Sequence, residues 1–321
     1  MKILAVQNRM GIGDTVIFLP YIQAISKKFN SPVSLLVKES SKADQFLYQT
    51  DYIDKIIFLE RFRKNKNGKH DGLFGSLKLV NDLRHHNFDK AFIFNSSLRY
   101  NLITKFAGIK KIYQYPLFEK SNQHIIKPAI KLIKNNLNLD VNNNPQIKIN
   151  KDLEEAAILK FNINKKELNI LLGIGGSGPT KRVPAKTFLS VMDKISNIKK
   201  SKFFLATGKD SEEQIILKNI LSSRFKDECV PLDDLSIKET LPVIKNCDVS
   251  ICNDTGFGHL SSALNVKTIT LMVDTPLIYG SYSSNMYPII PDGEINVSHE
   301  TFGKDKINPD KIFDKLISLI N

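Results

Sequence analysis

Long apolar segments are absent from this sequence of 321 residues. No apolar run approaches the roughly 18 residues that a membrane-spanning helix needs. Residues 1–7 also lack the long apolar stretch and the small-residue cleavage site of a signal peptide, so we interpret them as a first β-strand. These absences predict a cytoplasmic protein.

Cysteine and histidine are scarce as well. The three cysteines, Cys229, Cys247 and Cys252, are odd in number and lack the spacing of metal ligands. The six histidines are scattered apart from the pair at 85–86, and none lies in a zinc pattern. We therefore expect free thiols in a reducing compartment and no metal site built from these residues.

The charge of the chain is unbalanced. Its 46 Lys and Arg residues exceed its 33 Asp and Glu residues, which gives a formal net charge of +13 and a pI near 9.4. Such an excess favours an anionic partner: nucleic acid, a phosphorylated substrate or an anionic membrane surface. Lys-rich proteomes produce the same excess without a local ligand, so charge alone does not choose among these partners.

Strand-like apolar runs alternate with amphipathic helical stretches through most of the chain. We predict strands at residues 3–7, 33–37, 55–59, 90–94, 169–174, 202–207, 249–252 and 268–272. We predict helices at residues 15–29, 73–85, 184–197, 212–222, 238–246 and 309–320. This repeated β–α order predicts an α/β protein with parallel sheets covered by helices.

A polar break divides this pattern in two. Residues 135–151 include Asn142-Asn143-Asn144-Pro145, which lacks helical periodicity and predicts a linker. Each side then forms a Rossmann-like domain, residues 1–145 and residues 146–321, with an active site expected in the cleft between them. The last predicted helix is compatible with packing on either domain.

The first candidate segment follows the first predicted strand. Gly11 and Gly13 allow a tight turn, and Asp14 falls near the start of a helix. Two interpretations of Asp14 stay open. Either it caps the helix, or its carboxylate stands at the carboxyl end of a parallel strand, where ligands bind in such sheets.

The second candidate segment, residues 173–184, is rich in glycine and also follows a predicted strand. Backbone N–H groups, a hydroxyl and two cations make it a candidate anion cradle. Its candidate ligands are Gly175, Gly176, Ser177, Thr180, Lys181 and Arg182. The segment also matches the dinucleotide pattern G-x-G-x-x-G, but Pro179 and the lack of an acid ending the next strand weaken that match.

Two further segments combine a strand end with a helix start. In residues 206–213, acids occupy the first helical turn, and helix capping is the favoured interpretation. In residues 252–260, a helix predicted to begin near Thr255 and Gly256 offers N–H groups that suit a diphosphate. In isolation, Asp254 is an ordinary cap and His259 an ordinary core histidine.

A basic stretch, residues 61–70, adds Arg61, Arg63 and Lys64 after a strand end. It is either a solvated surface loop or an anion contact at the mouth of the cleft.

Together these segments resemble the heptosyltransferases, the glycosyltransferases that extend the inner core of bacterial lipopolysaccharide. The family's G-D block with apolar residues and a proline is matched at residues 13–20, and its D-T-G-x-x-H-L block at residues 254–260. Its glycine-rich block ending in K-x-W-P is approximated at residues 175–184, where Val183 replaces the tryptophan. Residues 272–276 depart from the family's usual F-G-P-T stretch, which leaves the exact donor sugar open.

The resemblance implies the two-Rossmann GT-B architecture and an inverting sugar transfer without a bound metal. It implies that Asp14 is the general base. Residues expected to hold the donor diphosphate are Gly175, Gly176, Ser177, Thr180, Lys181, Asp254, Thr255, Gly256 and His259. Residues expected on the acceptor side are Gly13, Arg61, Arg63 and Lys64.

The partners that the resemblance implies are a nucleotide-sugar donor, with ADP-heptose the leading candidate, and an anionic lipid-linked glycan acceptor. It also implies a peripheral contact with the cytoplasmic face of the inner membrane, and no cofactor.

Three alternatives stay open. A related enzyme using another nucleotide-sugar fits the same motifs. A NAD-dependent dehydrogenase rests on the glycine-rich segment alone. A nucleic-acid-binding protein rests on charge, without any recognisable nucleic-acid-binding motif, and we expect no nucleic-acid partner.

Overall fold

The computed structural model describes residues 1–61, 68–117 and 125–320. Within them the chain forms two compact units, Met1–Pro145 and Gln146–Asn321. Each unit is a parallel β-sheet with its own buried apolar core and its own covering helices. The α/β class with two Rossmann-like sheets is confirmed.

The first unit contains a five-stranded sheet in the order β3-β2-β1-β4-β5. Its strands are β1 (Ile3–Val6), β2 (Val33–Lys38), β3 (Ile53–Leu59), β4 (Lys90–Ile93) and β5 (Lys111–Gln114). Its helices are α1 (Ile12–Phe29), α2 (Ala43–Phe46), α3 (Gly72–Arg84), α4 (Leu98–Phe106) and α5 (Lys127–Leu137). Residues 138–150 are neither helix nor strand, whereas residues 135–137 of the predicted break belong to α5.

The second unit contains a six-stranded sheet in the order β11-β10-β9-β6-β7-β8. Its strands are β6 (Leu168–Gly173), β7 (Ser201–Ala206), β8 (Cys229–Pro231), β9 (Val249–Asn253), β10 (Lys267–Leu271) and β11 (Met286–Ile289). Its helices are α6 (Lys151–Lys160), α7 (Ala185–Ser196), α8 (Ser211–Leu221), α9 (Ile237–Lys245), α10 (Gly256–Ala263) and α11 (Pro309–Ile320).

Burial on both faces explains the central strands. All six residues of β6 are buried, as are all five of β9, so their apolar runs pack under helices on each side. The two strands pair in parallel, with Gly173 opposite Cys252. A Cβ on Gly173 would lie 2.6 Å from the Cys252 sulfur, so only glycine fits at this point.

Every predicted strand and helix is present, with ends that differ by up to three residues. Three strands escaped prediction: β5, β8 and β11. All three lie at sheet edges, and β11 contains Pro288. Edge strands have a partner on one side only, so they tolerate proline and lack the buried apolar run that identifies central strands.

The last helix packs on the second unit, where α11 contacts α7 and the strands β9 to β11. All three cysteines are buried free thiols, as predicted. Among the described residues, no helix is long and apolar enough to cross a bilayer.

Candidate active site

The second sheet brings two of the candidate segments together. Strand β6 lies in the middle of this sheet. The next strands in sequence, β7 and β8, lie on one side of it, and β9 and β10 lie on the other side. In doubly wound sheets, ligands bind at the carboxyl ends of strands where the strand order reverses in this way. Residues 174–184 follow β6 and residues 254–260 follow β9, so both segments lie at this switch point.

An ion pair joins these two segments. The ammonium group of Lys181 lies 2.7 Å from Oδ2 of Asp254, and the hydroxyl of Thr275 donates to the same oxygen at 2.7 Å. The side chain of Asp254 is only 11% exposed and that of Lys181 only 20%. A cation and an anion are thus held at a mostly buried position before any ligand arrives.

His259 completes this cluster. Its Nε2 lies 4.0 Å from Oδ1 of Asp254, and its Nδ1 lies 2.9 Å from the hydroxyl of Tyr282, whose ring stacks on the imidazole. Burial acts to raise the pKa of Asp254, but Lys181, His259 and the Thr275 hydroxyl outweigh it and hold that pKa below its usual range. Asp254 is therefore an anion at neutral pH.

Helix α10 begins beside this carboxylate. Thr255 is its N-cap residue and Gly256 its first helical residue, so the first turn begins next to the Asp254 cluster. The N–H of Gly258 donates to the carbonyl of Thr255 at 3.1 Å, which leaves those of Gly256 and Phe257 as the candidate donors to a ligand. A Cβ on Gly258 would come within 3.2 Å of the Cys252 side chain. Glycine at this position lets the helix start pack closely on the end of β9.

The glycine-rich loop is held from behind by a buried acid, Glu213 of α8. Its carboxylate accepts hydrogen bonds from the N–H of Gly176 at 2.8 Å and from the N–H of Gly208 at 2.7 Å. The hydroxyl of Thr207 also donates to it, at 3.2 Å. The N–H of Gly176 is therefore already engaged, which corrects the expectation that it faces a bound anion.

Arg182 is part of the same support. Its Nε donates to the carbonyl of Gly176 at 3.1 Å, and its Nη1 lies 2.8 Å from Asp210 and 2.7 Å from Glu212. With these partners the buried guanidinium fixes the loop and is not a free anion ligand. The capping interpretation of residues 206–213 is confirmed, because Asp210 is the N-cap residue of α8 and accepts the N–H of Glu212, and both Glu212 and Glu213 lie in the first turn.

The expected diphosphate ligands therefore divide into two groups. Among the described residues, the N–H groups of buried Gly175 and exposed Ser177 donate no hydrogen bond. The hydroxyl of Thr180 instead interacts with the carboxylate of Asp274 and helps to lower the pKa of that carboxyl.

Asp274 lies in the stretch that departs from the family pattern. Its carboxylate accepts backbone N–H groups from residues 300–302, including that of Phe302 at 3.1 Å. Burial acts to raise the pKa of Asp274, but the Thr180 hydroxyl and these backbone donors lower it below its usual value.

Asp14 lies in the first unit, within the first turn of α1. Gly11 is the N-cap residue, and Asp14 is the third residue of the helix, where its carboxylate accepts the N-cap N–H in a capping box; the capping interpretation therefore holds in this form. The carboxylate accepts the N–H of Gly11 at 3.1 Å, and Arg9 lies 3.8 Å away. Strands β1 and β4 are neighbours at the reversal of strand order in this sheet, so Asp14 also lies at a switch point. Gly13 is the second residue of the same helix.

A cavity of about 460 Å³ opens at the carboxyl ends of β2 and β3. Its lining includes three basic residues, Lys38, Lys42 and Arg61, and two acidic ones, Glu39 and Glu60. Arg61 also pairs with Asp71 at 3.3 Å. Its neighbours in the basic stretch, Arg63 and Lys64, lie outside the described residues.

Several residues around the two sites were not predicted from the sequence. They are Glu213, Asn253, Asp274, Thr275 and Tyr282. Of these, Asn253 could have been found from the sequence, because an Asn at the end of an apolar strand needs hydrogen-bond partners. In the structure it donates to the carbonyls of Ile174 and Gly175. Within the described residues no three His, Cys, Asp or Glu side chains form a metal centre; metal independence stays a prediction.

Comparison with known proteins fixes the family. Residues 76–301 match the model of glycosyltransferase family 9, described as heptosyltransferase. The chain belongs to this family. It is 26% identical over 257 residues to lipooligosaccharide heptosyltransferase 2 of Campylobacter jejuni, covering 76% of this chain and 77% of that protein. A match of 30% identity to lipopolysaccharide heptosyltransferase 1 of Campylobacter coli spans 46% of this chain and 43% of that protein.

Solved structures agree with the family on the fold. The ADP-heptose lipopolysaccharide heptosyltransferase II of E. coli aligns with a TM-score of 0.74 at 15% identity, covering 100% of this chain and 98% of that one. The E. coli heptosyltransferase WaaC with ADP aligns with a TM-score of 0.73 at 14% identity, covering 99% of each chain. As a member of family 9, the protein is a glycosyltransferase.

Proposed function

We propose that this glycosyltransferase transfers heptose from ADP-heptose to the inner core of lipopolysaccharide or to a related anionic glycan, with inversion and without a metal. The observation that carries the proposal is the Lys181–Asp254 ion pair at the switch point of the second sheet. Both residues belong to the sequence blocks that resemble the family. The E. coli heptosyltransferase WaaC, which has the same fold, was solved with ADP.

In this proposal the second unit binds the donor. A departing nucleoside diphosphate gains negative charge in the transition state, and fixed positive groups stabilise it best when they are already in place. Lys181, the first turn of α10 and the N–H groups of Gly175 and Ser177 are such groups. Asp254 and His259 set the position of the lysine, and Glu213 sets the shape of the loop.

The first unit supplies the acceptor side of the proposal. Asp14 takes the proton from the acceptor hydroxyl as that oxygen attacks the anomeric carbon. The cations of Lys38, Lys42 and Arg61 line a cavity at the same end of the sheet and suit the acidic groups of an inner-core acceptor. Gly13, the neighbour of Asp14 in α1, belongs to the same acceptor side, and a lipid-linked acceptor implies peripheral contact with the cytoplasmic face of the inner membrane.

The test of this function is Asp14→Asn. The asparagine keeps an oxygen that accepts the Gly11 N–H, so α1 stays intact. Removal of a general base lowers the transfer rate by about 10²–10⁴-fold, whereas ADP affinity should not change. Asp44→Asn, at an exposed acid of α2, is the matched control. Near-normal turnover of Asp14→Asn would remove Asp14 from the mechanism.

A second candidate donor, a different nucleotide-sugar, is favoured by one observation. Asp274, in the stretch that departs from the family pattern, places a carboxylate against Thr180 of the glycine-rich loop. A thermal-shift panel of ADP-, UDP-, GDP- and CDP-sugars decides between the donors, because a ligand that binds only the folded protein raises its melting temperature. Selective stabilisation by a nucleotide-sugar other than ADP-heptose would identify that compound as the donor, and the protein would still be a glycosyltransferase.

A further inference from the structure

Helices α3 and α4 lie side by side on one face of the first sheet. At their starts, the guanidinium of Arg99 donates to the carbonyls of His70 and Gly72. At their ends, the guanidinium of Arg84 donates to the carbonyl of Phe106 at 2.9 Å. The inner sides of both helices pack into the apolar core of the sheet through residues such as Leu79, Leu83, Tyr100 and Ile103.

The outer sides of these helices are also apolar. Six large side chains there are between 40% and 79% exposed, and we call them together the α3–α4 face. They are Leu73, Phe74, Leu77, Leu98, Leu102 and Phe106. Residues spaced by three or four positions lie on the same side of a helix, and each set lies opposite the buried residues of its own helix. Contiguous exposed apolar surface of this kind marks a contact with a protein or a membrane.

The charges around the face are positive. Two acids beside the face are already paired, Asp71 with Arg61 and Asp82 with Lys69 and His70. Helix α4 contains no acid at all. Lys78 and Lys105 are exposed on the same two helices, and they make no ion pair within the described residues.

The whole first unit shares this sign. It contains 23 Lys and Arg against 11 Asp and Glu, whereas the second unit contains 23 against 22. Nearly the whole positive excess of the chain therefore lies in the unit that carries the α3–α4 face. Protein interfaces are depleted in lysine, whereas apolar side chains interleaved with lysine are typical of surfaces that lie on anionic lipid.

We propose that the α3–α4 face docks this protein on an anionic phospholipid bilayer, with its apolar side chains among the lipid headgroups. The proposal deepens the membrane contact of the proposed function by naming its surface. The helices lie on the membrane and do not cross it, because their inner sides are committed to the protein core. Long lysine side chains reach the lipid phosphates while the leucines and phenylalanines enter the interface.

The experiment measures co-sedimentation of the full chain with vesicles. The vesicles contain phosphatidylcholine alone or phosphatidylcholine with about one third phosphatidylglycerol. Wild-type protein should sediment with the anionic vesicles and much less with the neutral ones. The triple variant Leu73→Gln, Phe74→Gln, Leu77→Gln should bind the anionic vesicles at least about tenfold more weakly, because each glutamine removes an apolar side chain from the interface. Glutamine is a good helix former, so α3 is retained.

The matched control changes three exposed apolar residues of the second unit, Leu159→Gln, Ile198→Gln and Ile215→Gln. This control should bind the vesicles like wild type, and Lys78→Gln with Lys105→Gln should weaken binding at low salt. Three results overturn the proposal. The first is that wild-type protein does not bind the vesicles, and the second is that both triple variants bind them equally well. The third is that wild-type protein forms a dimer that only the α3 variant disrupts, while no protein binds vesicles.

A thermal shift with ADP and transfer to a detergent-dispersed acceptor separate this proposal from the proposed function. If the α3 variant loses vesicle binding but keeps the thermal shift with ADP and the transfer to the dispersed acceptor, the docking surface and the proposed function are both supported. If vesicle binding behaves as proposed while no protein transfers heptose, the docking surface stands and the proposed function fails.

Discussion

In the proposed function, donor binding depends on Lys181 and Asp254, which form an ion pair at 2.7 Å. Lys181→Met leaves a mostly buried carboxylate without its cation, which costs about 2–4 kcal/mol in the free energy of unfolding. The variant should also bind ADP more weakly, with a smaller loss for adenosine, because only ADP presents the diphosphate. Urea unfolding and calorimetric titration measure the two effects.

The double variant Lys181→Met, Asp254→Asn supplies the control. Removing both charges relieves the unpaired anion, so part of the lost stability should return while ADP binding stays weak. If the two single losses simply add, the ion pair is not the source of the stability.

The acid limb of stability follows from the lowered pKa of Asp254. A carboxyl whose pKa is depressed by folding contributes stability above its unfolded value of about 3.9 and loses it as pH falls through the folded value. The difference in unfolding free energy between wild type and Asp254→Asn should therefore be constant above about pH 5 and shrink in acid. Urea unfolding at several pH values measures it. Asp227→Asn, at an exposed position, should show no such trend; a flat difference for Asp254→Asn down to pH 2.5 would contradict the ion-pair origin.

At the scale of elements, α8 holds the loop that follows β6 through one carboxylate. Glu213→Gln replaces an anion that accepts three hydrogen bonds with an amide whose NH₂ group faces other donors. The unfolding free energy should fall by about 2–4 kcal/mol. ADP should bind about tenfold more weakly, because the loop is no longer preorganised.

Glu212→Gln is the matched control for this prediction, since Glu212 is the exposed neighbour that also pairs with Arg182. Its effect on both quantities should be small. Comparable ADP affinities for the two variants would show that Glu213 supports the fold without shaping the loop for the donor.

These elements also show how far sequence patterns reach. Central strands such as β6 and β9 were predictable because burial on both faces demands a continuous apolar run. The edge strand β8 was not, since it has three residues and one neighbour. The role of Glu213 was not predictable, because acids in the first turn of a helix already suit the helix dipole. Nothing in the sequence shows that this carboxylate contacts Gly176, which is 37 residues away.

The same limit applies to the blocks of the family. They placed Lys181 and Asp254 in one site, because segments after neighbouring parallel strands meet at one edge of the sheet. They did not reveal that Arg182 and Thr180 are engaged by Asp210 and Asp274, because such pairings depend on which side chains face inward.

At the scale of the whole molecule, positive charge is concentrated in one unit. The first unit has an excess of 12 positive charges and the second an excess of 1. Long-range attraction of an anionic acceptor or membrane should therefore come from the first unit, whereas the proposed donor site depends on the short-range Lys181 cluster. The two steps should respond differently to salt, because exposed charges are screened more than buried ones.

Raising the ionic strength from about 0.1 M to about 1 M shortens the screening length from about 10 Å to about 3 Å. We expect the acceptor KM to rise about tenfold and the ADP Kd to rise less than about threefold. Initial rates with vesicle-embedded acceptor and calorimetric titration of ADP measure the two. Lys78→Gln with Lys105→Gln should raise the acceptor KM at low salt and flatten its salt dependence. If ADP binding proves as salt-sensitive as the acceptor KM, the charge of the first unit does not act on the acceptor step alone.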